Sequence, residues 1–159
     1  MSAFLKERGL ELSKEKTKIT SIEEGFDFLG FNIRKYKNKL LIKPAKKGVK
    51  TFLTRIREII AKTQKTDVLI SILNLKIQGW ANYYHHSVAK QTFAYIDANI
   101  FKALWRWAKR RHRKKAASWI KKKYYTQRKL RKWCFFATQE KGQKKKVLLL
   151  KAASDYSHY

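Results

Sequence analysis

The stretch TFLTRIREIIAKTQKTDVLISILNLKIQGWANYY, Thr51 to Tyr84, decides how this chain folds. Phe52, Ile56, Ile59 and Ile60 recur at offsets 0, 4, 7 and 8, one face of an α-helix. Leu69, Ile72, Leu73 and Trp80 follow at 0, 3, 4 and 11, with Thr66 or Asp67 suited to cap the start of a second helix. Gly79 is expected to loosen or end that helix near GWANYY. A third stripe, Phe93, Ile96, Ile100, Leu104 and Trp107, falls at 0, 3, 7, 11 and 14. None of the stripes is long enough for a coiled coil, so together they read as the core of a small helical bundle.

On the N-terminal side lies EEGFDFLGFNIRKY, Glu23 to Tyr36. Gly25 and Gly30 sit there among Phe26, Phe28, Leu29 and Phe31, and the cations Arg34 and Lys35 follow. A glycine inside a strand marks the close approach of a ligand or another backbone, or a bulge. FDFLGFNIRKY and KLLIKP read as two strands of a β-hairpin, turned at KNK by Asn38 and stopped by Pro44. Further upstream, SAFLKERGL reads as a helix end closed by Gly9, and LELSKEKTKITSI as a short connection. On the C-terminal side, ASWIKKKYY reads as a short helix. KWCFFAT and KKKVLLL, with Gly142 between them, read as a second hairpin, and KAASDYSHY as a frayed end. The expected fold class is α+β, mainly α: a β-hairpin, a three-helix bundle, a basic helix and a C-terminal β-hairpin.

Charge separates these parts. The formal net charge is +28, yet 14% of the residues are aromatic, so the chain buries a core and still presents a field that attracts polyanions. RNA, DNA and an anionic membrane are the candidate partners. Residues 1–30 are balanced, with five Lys and Arg against six Asp and Glu. Arg106 to Lys132 carries 14 cations in 27 residues, and no acid occurs between Asp97 and Glu140, the mark of a phosphate-facing surface. The apolar runs reach about five residues where a spanning helix needs ~20, so no membrane role is expected. Cys134 is the single cysteine, which excludes an internal disulfide and a cysteine zinc cluster and fits a cytoplasmic protein, or an organellar one in a eukaryote.

Catalytic chemistry finds no support. Two-metal phosphoryl transfer needs converging carboxylates, and no two aspartates are adjacent; Glu23 and Glu24 point apart on an extended chain. His85 and His86 diverge by about 100° on a helix and make a poor chelate. Cys134 lies in an apolar run that suits an inert thiol. No catalytic residue, metal or cofactor is expected. Binding remains. LWRWAKRRHRK, SWIKKKYY and RKLRKW interleave cations, which hold phosphates, with rings that stack on unpaired bases. Trp105, Trp107, Trp119 and Trp133 suit either that role or the core, and the Lys and Arg run suits either phosphates or plain solvation.

RGLELSKEKTKIT, EEGFDFLGFNIRKY, GWANYY and LWRWAKRRHRKKAASWIKKKYY occur in one order over nearly the whole chain. Together they resemble the C-terminal part of group II intron-encoded reverse transcriptases, or maturases. The resemblance implies that residues 1–45 are the end of a palm with its primer-gripping hairpin. Residues 46–105 would be the thumb, or maturase domain X, and 106–159 the start of a DNA-binding region. Gly30 would then leave room for a nucleic-acid backbone, with Arg34 and Lys35 neutralising phosphates. Charge and placement add Lys46, Lys47, Lys50, Arg55 and Arg57 around the first thumb helix. They also add Lys109, Arg110, Arg111, Arg113, Lys114 and Lys115, then Lys121, Lys122 and Lys123.

The departures shape the expected function. The YADD segment with the family's paired metal-binding aspartates does not occur, and Arg113 stands where many relatives have a proline. The expectation is a truncated, remnant or split protein without polymerase activity of its own. It would bind group II intron RNA and assist folding and splicing, with target DNA a further partner of the basic tail. The alternative is the C-terminal piece of a split RNA-directed DNA polymerase, docking a separate fingers–palm chain through Phe26, Phe28 and Phe31. A vestigial fragment without selected function is the third reading.

Overall fold

A computed structural model describes residues 2–11, 13–14, 18–128, 131–141, 144–149 and 151–156. Helix α1 (Ser2–Lys6) stops before Gly9, whose φ of +70° only glycine adopts freely. A three-stranded antiparallel sheet follows, β1 (Phe26–Phe28), β2 (Phe31–Tyr36) and β3 (Lys39–Pro44), in that order. The run FDFLGFNIRKY is therefore two strands rather than the one its composition suggests. Leu29 (φ 47°) and Gly30 (φ 82°) turn the chain between the paired residues Phe28 and Phe31. Positive φ at both central residues is the two-residue hairpin geometry that matches strand twist, so Gly30 marks a turn and not a bulge. Lys37 and Asn38 repeat that geometry between Tyr36 and Lys39, as expected of KNK.

Four longer helices form the body: α2 (Lys46–Lys62), α3 (Thr66–Tyr84), α4 (Lys90–Arg111) and α5 (Ala117–Tyr124). Leu53, Ile56, Ile60, Leu69, Leu73, Phe93, Ile96 and Leu104 lie at the centre of the core, almost wholly shielded from water. The apolar stripes thus meet as their spacing requires, and Val49, Ile77, Ala81 and Ile120 extend the core beyond them. One local expectation fails and another holds in part. Thr66 is the first residue of α3 and Lys65 precedes it, with no side chain capping the end; Asp67 instead sits in the first turn, favourably placed for the helix dipole. Helix α3 does end at Tyr84, the last residue of GWANYY, but Gly79 itself stays helical and does not loosen it. Burial of Ile77, Ala81 and Tyr84 outweighs the ~1 kcal/mol that glycine costs a helix interior. Helix α4 runs to Arg111.

The C-terminal sheet has three strands, β4 (Tyr125–Arg128), β5 (Arg131–Lys141) and β6 (Lys144–Leu149), where sequence suggested a hairpin. The additional strand β4 begins directly where α5 ends. Strand β5 runs through Gln139 to Lys141, paired with Lys146 to Lys144, so the expected loop is mostly strand; Gly142 lies outside the described residues. The chain end is tied down as far as Tyr156, in contrast to the fraying expected. Asp97 accepts hydrogen bonds from the backbone N–H of Ala153 (2.7 Å) and Ser154 (3.2 Å) and from the Ser154 hydroxyl (2.7 Å). Asn74 accepts one from the N–H of Lys151 at 2.8 Å. Sequence composition does not reveal such long-range acceptors.

Candidate nucleic-acid interface

Residues 99, 102, 103, 106, 109 and 110 of α4 recur every three or four positions and form one stripe. That stripe faces Arg57, Ile60 and Ala61 of α2 across a groove of about 700 Å³. Arg57, Lys102, Arg106, Lys109 and Arg110 line it, and no carboxylate among the described residues does. The Arg57 guanidinium donates to Asn99 Oδ1 at 3.1 Å, and Asn99 Nδ2 donates to the Tyr95 carbonyl at 2.9 Å. One cation is thus pre-oriented across the groove. Uncompensated guanidinium and ammonium groups along a cleft are built for phosphates, which guanidinium forks engage in pairs of hydrogen bonds.

A second groove of about 440 Å³ lies where α2 meets the N-terminal sheet. It brings together Gly30, Lys47 and Arg55, with Gly48, Thr51, Asp27 and the Phe52–Trp80 ring stack (5.2 Å between centroids). Tyr84 of GWANYY lines it, and Tyr83 and Tyr84 both hold the turn at its edge. Tyr83 donates to the Leu29 carbonyl at 2.7 Å and Tyr84 to the Gly30 carbonyl at 3.1 Å. Burial first, and the neighbouring Tyr83 second, raise the Tyr84 hydroxyl above the usual phenol range, so it stays a donor. This contact explains why Gly30 is needed: a Cβ there would lie 2.7 Å from the Tyr84 oxygen. The backbone approach read from sequence is first of all that of the chain's own tyrosine.

The other candidate residues are spread out. Arg34 donates from Nε to the Glu23 carbonyl at 2.9 Å and so braces its own loop, while Lys35 is exposed near the far end of β2. Lys46 and Lys50 flank Tyr95 in a separate cleft of about 360 Å³. Arg111 hydrogen-bonds the Gln64 carbonyl and lies 4.8 Å over the Trp107 ring; with Lys123 it lines a pocket at the start of α3. Lys115 (5.5 Å) and Lys123 (4.8 Å) both approach the Trp119 ring, and Lys121 sits 4.1 Å from the Trp133 ring centroid. Arg113, Lys114 and Lys122 are exposed on the same basic segment. Trp107 belongs to the core and donates from Nε1 to the Thr63 carbonyl at 3.1 Å, Trp105 and Trp119 are half-buried, and Trp133 is exposed.

His112 stands among these cations, 2.8 Å from the Tyr124 hydroxyl and with its ring 4.8 Å from that of Trp119. Desolvation, then Lys123, Arg111 and Lys115, hold it below the usual histidine range, so it adds no charge at neutral pH. Arg106 opens the basic run read from sequence, but Lys102 and Asn99 fall outside it. Their signal lies in the spacing of polar residues along α4, whereas charge density peaks further on. Among the described residues no three His, Cys, Asp or Glu side chains could jointly hold a metal ion, and no helix is long and apolar enough to cross a membrane.

Residues 49–125, just under half of the chain, match the family model of the group II intron maturase-specific domain. The match runs from the first turn of α2 to the start of β4 and includes both walls of the α2–α4 groove. It supports a group II intron maturase role in splicing, with group II intron RNA as the associated partner. No curated protein matches the chain.

Proposed function

We propose that this chain is a maturase-type module that grips structured group II intron RNA by its phosphates and favours the splicing-competent fold. The observation that carries the proposal is the acid-free groove of Arg57, Lys102, Arg106, Lys109 and Arg110, inside the segment that matches the maturase-specific domain. Helices α2 to α4 take the part of the thumb, or domain X, and hold the groove walls at fixed separation. A rigid row of cations binds best where RNA folding sets phosphates at matching positions. The folded RNA then gains stability equal to its advantage in affinity over misfolded forms. The second groove, with Lys47 and Arg55 beside Gly30, offers another length of backbone contact. The exposed cations Arg113, Lys114, Lys115, Lys121, Lys122 and Lys123 extend the field to further RNA or to target DNA. No polymerase chemistry is assigned to this chain.

The test is binding of a group II intron RNA and of an unrelated structured RNA across a salt series. Counterion release makes both affinities fall steeply with salt. The proposal expects the intron RNA to keep an advantage of ~10-fold or more at physiological salt, about 1.4 kcal/mol. Equal affinities throughout would refute it.

One observation favours a second reading. Phe26, Ile33 and Ile42 are cross-strand neighbours on one face of the N-terminal sheet, as are Phe28, Phe31 and Pro44. Phe31 is covered, with its ring 5.3 Å from Tyr83 and 4.9 Å from Tyr84, but Phe26, Phe28, Leu40 and Ile42 are exposed. Such a face suits a fingers–palm chain. RNA-templated DNA synthesis on mixing this chain with a separate fingers–palm chain would support that reading, and its absence would count against it.

A further inference from the structure

On another face of the molecule, α4 and the C-terminal sheet build an aromatic box. Phe101 and Trp105 stand one turn apart on α4, Tyr125 comes from β4 and Trp133 from β5. The ring centroids of Phe101, Tyr125 and Trp133 lie 5.4 to 6.1 Å apart, and Phe101 meets Trp133 edge to face at 90°. Trp105 closes the group at 5.7 Å from Tyr125 and 6.2 Å from Trp133. Phe101 remains 37% exposed and Trp133 41%. Phe101, Tyr125 and Trp133, with Cys134, Phe135 and Lys151, line a pocket of about 360 Å³, within the range of small-molecule sites.

Three observations select the occupant. Lys121 places its ammonium group 4.1 Å from the Trp133 centroid, and Lys151 lines the pocket, so anionic groups are welcome at its edge. Asp97, the carboxylate of the lining, is turned onto residues 153 and 154 by three hydrogen bonds, and its single negative charge is outweighed by the two lysines at the pocket edge. The Phe101 and Trp133 rings are each more than a third exposed, so a flat apolar face can cover them. A guest with a flat π-face and an attached phosphate meets all three. Phe101 and Trp105 also sit beside Lys102 and Arg106, about 100° round α4 from the cationic groove, so one strand can reach both.

We propose that this box receives an unpaired base of a single-stranded nucleic acid, stacked on Trp133 and edge-on to Phe101, with Lys121 holding the adjoining phosphate. The site adds base stacking to the phosphate grip of the α2–α4 groove and is separable from it.

The test compares short oligouridine, oligothymidine and an abasic strand of equal length, with wild type, Trp133→Ala and Trp133→Phe. The proposal expects Trp133→Ala to weaken the base-bearing strands roughly 5- to 150-fold, the span of one lost stacking contact. The abasic strand should bind all three proteins alike, and Trp133→Phe should retain most of the affinity. Whether oligouridine or oligothymidine loses more identifies RNA or DNA as the source of the base. In wild type, where misfolding is not at issue, base-bearing strands should quench tryptophan fluorescence more than the abasic strand, and Trp133→Phe should remove the difference. Equal losses for natural and abasic strands, no loss at all, or equal quenching by both would overturn the proposal.

Discussion

Replacing Gly30 by alanine tests the contact that joins the N-terminal sheet to the helical body. Gly30 has a φ of +82°, and an alanine held in that left-handed region costs about 1–2 kcal/mol. The new Cβ would stand 2.7 Å from the Tyr84 hydroxyl oxygen, closer than real Cβ contacts come. The hydroxyl must move, and its 3.1 Å hydrogen bond to the Gly30 carbonyl is lost, at about 1 kcal/mol. The total is about 2–3 kcal/mol. Tyr84→Phe removes that hydroxyl, and the next ring atom lies 3.8 Å from the Cβ, an ordinary contact. In a Tyr84→Phe background, Gly30→Ala should therefore cost only the backbone strain. The double-mutant cycle should show a coupling of about 1 kcal/mol, with the pair less destabilised than the sum of its singles. Urea unfolding followed by tryptophan fluorescence is the assay, since the Trp80 ring lies 4.4 Å from that of Tyr84. Costs that add within ~0.5 kcal/mol, or a neutral Gly30→Ala, would refute the assignment of Gly30 to Tyr84.

Neutralising the groove should be read as a salt slope. With five phosphate contacts, a fourfold rise in salt lowers affinity about 500-fold; Lys102→Gln with Arg106→Gln leaves about 40-fold and cuts the log–log slope by about 1.8. A variant at Lys90, outside the groove lining, should leave the slope nearly unchanged, and equal slopes for all three proteins would remove the groove from the interface. His112 gives a pH signature. Its pKa is lowered by folding, so the unfolded chain binds the proton more readily. Its contribution to stability is complete above about 6.5, the unfolded value, and declines as pH falls toward the folded value. Urea titrations from pH 7.5 to 5 should show a smaller decline for His112→Gln than for wild type; identical declines would contradict the desolvated placement of the ring.

Much of the architecture was legible because periodicity is local. The helices of the bundle follow from stripes such as Phe93–Ile96–Ile100–Leu104–Trp107, every member of which is buried. Errors cluster where local and tertiary preferences differ. Gly79 is a poor helix former that flanking burial overrides. Tyr125 is a plausible helix residue that leaves α5 for a strand, where it pairs with Phe135. The end of the chain looks solvent-bound in composition and is held by Asp97 and Asn74 from helices far earlier in sequence.

The interface divides in the same way. By itself the sequence determined that the protein is a basic helical body with β-elements at both ends and a field that attracts polyanions, because net charge and apolar spacing are properties of composition and of short windows. Only the tertiary structure decided which cations act together. Arg57 and Arg106 are distant in sequence and share one groove, whereas Arg55 and Arg57, two residues apart, face different grooves because two helical steps rotate a side chain by about 200°. The same packing places the tyrosines of GWANYY on the turn of FLGF. Neither motif contains the other's geometry, so the reason they occur together became visible only once the chain was folded.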